Sequence, residues 1–116
     1  MTNNLFVYGT LRLGYSNQYA VLLHAASTFL GTARMAGHLE QAGEYTGMRP
    51  ARSGGDWVEG EVFAIHDSDA IFKQLDEYEG ADYVRWLQAA VLADGETVEC
   101  WVYLHLPQVV HSADQT

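Results

Sequence analysis

The run Leu5-Phe6-Val7-Tyr8-Gly9-Thr10-Leu11-Arg12 carries four bulky residues straight into a glycine and a threonine. It reads as a short buried strand, Leu5 to Tyr8, that ends in a tight loop rich in exposed backbone. Gly9 lets the chain turn without a Cβ clash, so that amide N–H groups can point at a ligand. A second stretch, Leu75-Asp76-Glu77-Tyr78-Glu79-Gly80, supplies a carboxylate that such a loop can work with.

Working outward, Ser16-Asn17 is an N-cap pair. Tyr19, Leu22, Leu23 and Ala26 then fall at i, i+3, i+4 and i+7, one face of a short helix. Thr28 to Leu39 is rich in strand formers and interrupted by Gly31 and Gly37, the pattern of a bulged or bending strand. Residues 40 to 56 hold five glycines and prolines and read as a loop region with room for a short extended piece. Trp57 to Ile65 is a strand around Gly60. Asp67 or Ser68 caps the next helix, with Asp69 in its first turn. Ile71, Phe72, Leu75 and Tyr78 form that helix's apolar face, and Gly80 stands where a left-handed C-cap belongs. Tyr83 to Leu92 and Thr97 to Leu104 are strands joined at Asp94-Gly95, a strong hairpin signal. The stretch from Pro107 to Thr116 is polar, and chain ends of this kind fray. The order is that of a mixed α+β domain with a curved or barrel-like sheet, whose strand pairing the pattern does not fix.

Composition narrows the function classes. The 116 residues are enough for one domain with one core. Fifteen acidic residues stand against six basic ones, a formal charge of −9, with no Lys/Arg cluster. Nucleic acid and anionic membrane surfaces are therefore not the expected partners. Cys100 is the single cysteine, which fits a reducing compartment. Met1 to Leu5 lacks a basic, then apolar, leader pattern, and no window approaches the roughly 18 apolar residues of a membrane span. A cytoplasmic protein is the expectation. His24, His38, His66, His105 and His111 are scattered without metal-ligand spacing. Trp57, Trp86 and Trp101 are expected to pack the barrel, with one of them available to wall a pocket.

Glu79 falls in the last turn of its helix, where the dipole is negative, with Asp76 and Glu77 adding like charge. Both effects disfavour ionisation and raise a carboxyl pKa, as a general acid/base working near neutrality requires. On spacing alone, an inert acidic helix end is the commoner reading. Arg12 is suited to a substrate carboxylate or to a surface ion pair. Arg85 shares a strand face with Tyr83 and is expected to brace Glu61 or the helix end.

Tyr8-Gly9-Thr10-Leu11-Arg12, Val58-Glu59-Gly60-Glu61-Val62-Phe63, Leu75 to Gly80 followed by Tyr83-Val84-Arg85, and a late Trp101-Val102-Tyr103 occur in that order. Together they resemble the gamma-glutamyl cyclotransferase-like family, with its avirulence-induced-gene-like and gamma-glutamylamine cyclotransferase branches, over residues 5 to 104. The resemblance implies a single domain, core about 5–105, built as a small mixed β-barrel with flanking helices. It implies a cofactor-independent enzyme of acyltransferase or lyase type. Such an enzyme turns a γ-glutamyl amine, amino acid or peptide into 5-oxoproline and free amine, with no metal. It makes Glu79 the acid/base, gives Tyr8, Gly9, Thr10 and Leu11 the γ-glutamyl group to hold, and puts Tyr83 and Tyr103 in the pocket. The alternative is a non-catalytic module of the same fold that binds a γ-glutamyl compound or another small carboxylate. A protein-interaction domain using the barrel surface is the third reading.

Overall fold

Alternation along β1 (Asn4–Val7) sends Leu5 and Val7 to one side and Phe6 to the other, and all three are buried. This strand therefore has no solvent face, as expected of one closed in on both sides. The computed structural model describes residues 2–42, 45–52 and 54–106. The remaining elements are α1 (Gln18–Ala25), β2 (Ser27–Ala36), β3 (His38–Ala42), β4 (Tyr45–Arg49), β5 (Trp57–Ile65), α2 (Ser68–Glu79), β6 (Tyr83–Leu92) and β7 (Thr97–His105).

Neighbouring strands run β1-β5-β2-β6-β7, and β1 also pairs in parallel with β7 at Leu5–Trp101 and Phe6–Val102, which closes a five-stranded mixed barrel. The β3–β4 hairpin is attached outside this ring, through Met48 beside Leu104. Gly60 allows β1 and β5 to meet: a Cβ there would collide with the Val7 carbonyl and the Phe6 ring. Gly31, at φ +138, accommodates the register shift between β2 and β5.

Two cores result. Phe6, Val62, Met35, Cys100, Val102 and Leu104 belong to the group that fills the barrel. Leu5, Val7, Phe63, Ile65 and Tyr103 face the other way and are covered by Ala20 and Leu23 of α1 and by Ile71, Phe72 and Leu75 of α2. The helix ends follow local chemistry. Asn17 Oδ1 accepts from the Tyr19 and Ala20 N–H groups (3.1 and 2.9 Å). Gly80 ends α2 at φ +87 and ψ −175, in positive-φ space but not the left-handed helical region, and its N–H reaches Asp76 O.

Several expectations are corrected. β3 and β4 pair as a hairpin where residues 40 to 56 read as a loop with a short extended piece, and the strand expected over Thr28 to Leu39 is two, β2 ending at Ala36 and β3 starting at His38; a glycine that breaks local pattern is tolerated where it meets close neighbours, as Gly47 does against His105. Asp67 occupies the N-cap of α2 without a side-chain capping bond. Trp57 and Trp86 lie 44% and 49% exposed, since this narrow barrel is filled by smaller side chains; only Trp101 is partly covered, its indole N–H bonded to Thr2 O. Residues 107–116, read as a fraying end, lie outside the described residues.

Candidate active site

The barrel opens where β1 stops pairing. Beyond Val7 the chain leaves the ring, and on β7 the partner changes from β1 to β4 at Leu104. Tyr8 occupies this junction. Its hydroxyl donates to Tyr103 O (2.7 Å) and accepts from Met48 N–H (3.0 Å), tying β1, β7 and β4 together. Burial pushes the Tyr8 phenol well above its ordinary range, so it remains a neutral hydrogen-bonding group.

The loop after Tyr8 has its carbonyls engaged. Gly9 O accepts from the Arg12 N–H and from Arg12 Nε (3.2 and 3.0 Å). Thr10 O accepts from Asn17 Nδ2 (2.8 Å), and Leu11 O meets His24 Nε2 (2.8 Å). Among the described residues, the N–H groups of Gly9, Thr10 and Leu11 have no protein acceptor. Three consecutive donors in this state form a concentration of partial positive charge suited to an anion or a developing oxyanion. Glu61, one of the two partners expected for Arg85, instead accepts from Leu13 N–H (2.8 Å) and steadies the loop's far end.

Opposite lies the end of α2. Thr10 Oγ1 and the Tyr78 hydroxyl share a hydrogen bond (2.8 Å), and Tyr78 stacks on Tyr19 at 4.4 Å, so loop and both helices are held in register. Between them is a cavity of about 510 Å³. All seven residues singled out in the sequence line it: Tyr8, Gly9, Thr10, Leu11, Glu79, Tyr83 and Tyr103. Arg12, Tyr15, Leu39, Thr46 and Tyr78 line it too. Arg12 belongs to the loop motif, and Tyr78 is adjacent to Glu79. Leu39 and Thr46 come from the unforeseen hairpin and carry no local signal.

Among the described residues, Glu79 is the single carboxylate in that lining. Its pKa is raised to about 7, first by burial and second by the charge of Asp76. The direction agrees with the sequence argument, but the leading cause differs: removal from water outweighs the like-charge effect. Among the described residues the Glu79 carboxyl has no hydrogen-bond or ion-pair partner. Tyr103 presents its ring to the cavity while its hydroxyl donates to Asp76 Oδ1 (2.6 Å), which raises the phenol further above an already elevated value set by burial. Arg85 braces the helix end as anticipated, gripping Asp76 through Nε and Nη2 (3.0 and 3.2 Å). Cys100 is buried in the barrel, its thiol pushed up to about 12, away from the cavity. No cluster of three or more His, Cys, Asp or Glu side chains with metal-binding geometry occurs among the described residues. Nor is any described helix long and apolar enough to cross a membrane.

The sequence profile of the family described as gamma-glutamyl cyclotransferase, AIG2-like, matches residues 5–115, and the chain belongs to that family. Solved structures share the fold. YkqA from Bacillus subtilis is 25% identical with a TM-score of 0.72, over 94% of this chain and 38% of that one; this chain thus spans well under half of YkqA's length. An aig2-like protein from Mus musculus is 24% identical, TM-score 0.71, over 97% and 81% of the two chains. A uropathogenic Escherichia coli-specific protein, c4763, is 26% identical, TM-score 0.63, over 90% and 80%. No curated protein sequence matches.

Proposed function

We propose that this cavity converts a γ-glutamyl amine, amino acid or peptide into 5-oxoproline and a free amine, with Glu79 as general acid/base. One observation carries the reading. Among the described residues, one carboxyl, with a pKa near 7, shares a cavity with three backbone donors that have no protein acceptor.

The chemistry follows from what the substrate brings. Its α-nitrogen is the nucleophile and its γ-carbonyl carbon the target, so the cavity needs no side-chain nucleophile. Folding the substrate so that the two atoms meet gains an effective molarity on the order of 10⁵ M or more. Glu79 takes a proton from the α-ammonium, and the freed amine attacks. The new C–N bond closes the five-membered ring and places negative charge on the γ-oxygen. The leaving C–N bond then breaks, and its nitrogen takes up the protons that the α-nitrogen gave up, carried by the same carboxyl. A group poised near neutrality serves both transfers. The N–H groups of Gly9, Thr10 and Leu11 are placed to hold the substrate α-carboxylate or the growing oxyanion. Tyr8, Tyr83 and Tyr103 give the walls their shape. Backbone donors also explain how a chain of net charge −9 accepts an anionic substrate.

A pocket that merely binds a carboxylate gains nothing from a second carboxyl in its wall, which favours turnover over the binding-module reading. The test is incubation with a panel of γ-glutamyl compounds and assay of 5-oxoproline. The wild type is expected to release it and Glu79→Gln to lose at least a hundredfold in rate with an unchanged fold. Ligand-induced thermal stabilisation without any product would leave the binding module as the function.

A further inference from the structure

Asp76 stands one helical turn before Glu79, a spacing that puts the two side chains on neighbouring parts of one helix face. They nevertheless look into different spaces. Glu79 lines the cavity. Asp76 lines a shallow hollow on the other side, with Glu77, Gly80, Val84 and Arg85. Tyr83 and Tyr103 border both and form the partition between them.

Asp76 is held from three directions: the Tyr103 hydroxyl at 2.6 Å and Arg85 through Nε and Nη2 at 3.0 and 3.2 Å. The Arg85 guanidinium is itself fixed over two rings, 4.3 Å from the Phe72 centroid and 4.9 Å from that of Trp101. An isolated surface ion pair contributes little. This one is bidentate, seated on an aromatic shelf, and joined through Tyr103 to the cavity wall; Tyr103 O in turn receives the Tyr8 hydroxyl. A continuous chain of contacts thus runs from Arg85 outside the cavity to the loop that opens it.

We propose that Asp76 and Arg85 are positioning residues whose ion pair, outside the cavity, governs how readily the Glu79 carboxyl inside it takes a proton. This inference rests on the reading of Glu79 as the proton carrier. The Asp76 carboxylate opposes a second negative charge one turn away. The Arg85 guanidinium, paired with Asp76, carries the opposite sign. Among the described residues, the other ionisable groups that line the cavity with Glu79 are Tyr78 on its own helix, Tyr8, Arg12 and Tyr15 from the first strand and the loop after it, Tyr83 from β6 and Tyr103 from β7. Burial keeps Tyr8 and Tyr103 neutral through the physiological range.

The experiment follows the Glu79 carboxyl by ¹³C NMR titration of the free protein, alongside the acid limb of the kcat/KM profile. Asp76→Asn keeps an acceptor for Tyr103 and removes the charge; the Glu79 midpoint is expected to fall by roughly half to one pH unit. Arg85→Gln leaves Asp76 unbalanced, and the midpoint is expected to rise by a similar amount. Arg85→Lys, which keeps the charge, restores a value near wild type. A purely structural pair lowers rate or stability without opposed shifts. Midpoints that stay put, or move the same way in both variants, overturn the proposal. If one variant fails to fold, the sign of the other's shift decides. Because the NMR readout needs no turnover, the two failures are distinguishable: shifts without 5-oxoproline release would sink the functional reading and the proton transfer that the ion pair would tune, whereas release without opposed shifts would sink this inference alone.

Discussion

The molecule has two cores of opposite character. The barrel interior, with Met35, Val62, Cys100, Val102 and Leu104, holds side chains with almost no polar chemistry. The layer between barrel and helices is equally buried at Leu5, Phe63 and Leu75, yet its margin carries Tyr8, Tyr83, Tyr103 and Glu79. The first is a scaffold whose contribution is burial. In the second, burial also changes the chemistry of the groups placed there: the same loss of water that stabilises a leucine lifts the Glu79 carboxyl to about 7. Changes in the barrel should therefore read out as stability, and changes at the margin as activity and pH dependence.

The largest expected effect breaks that comparison at the margin. Glu79→Gln should reduce 5-oxoproline release at least a hundredfold while circular dichroism and the melting transition stay those of a folded protein. Next comes the scaffold. Leu104→Ala leaves a void in the barrel and should cost about 2–5 kcal/mol in denaturant unfolding, with the per-molecule activity of the remaining folded fraction close to wild type. Equal losses of activity and stability in both variants would erase the distinction between the two regions.

A third effect is on stability against pH. The Glu79 carboxyl has a higher pKa folded, about 7, than its ordinary value of 4.5. The folded state therefore holds the proton more tightly, and the contribution is full below pH 4.5 and lost as pH rises through 7. From this group alone, unfolding free energy should drop by on the order of 2 kcal/mol between pH 4.5 and 8. Glu79→Gln should flatten that slope, which paired denaturant titrations at the two pH values would read. The smallest effect sharpens the link between helix and loop. Tyr78→Phe removes the bond to Thr10 and should cost about 1 kcal/mol in stability, with a several-fold fall in kcat/KM as the loop loosens.

Much of this architecture is written locally. Trp57–Ile65 and Tyr83–Leu92 are rich in β-branched and aromatic residues and bounded by turn signals, and both strands have the bounds their patterns give. Asn17 caps α1, and Gly80 ends α2, because capping depends on residues a few positions apart. What escapes local reading depends on distant partners. The parallel closure of β1 on β7 joins residues nearly a hundred positions apart, and no periodicity encodes it. The β3–β4 hairpin hides in a glycine-rich stretch because Gly37 and Gly47 are needed for close approach to Met48 and His105, not for turning. Its ion pair, Arg49 to Glu40 at 3.0 Å with His105 alongside at 3.3 Å, is likewise visible only in three dimensions. In the site, the loop and Glu79 announce themselves through the family resemblance. The cause of the carboxyl's raised proton affinity does not, since desolvation depends on which side of the helix the cavity lies.

One titration bears most directly on the claim that a half-buried carboxyl and an open backbone loop cooperate in ring closure. For a turned-over γ-glutamyl substrate, kcat/KM measured from pH 5 to 9 should rise with unit slope through a midpoint near 7, and that limb should vanish with the activity in Glu79→Gln. Turnover that persists in the variant with the same midpoint would contradict it.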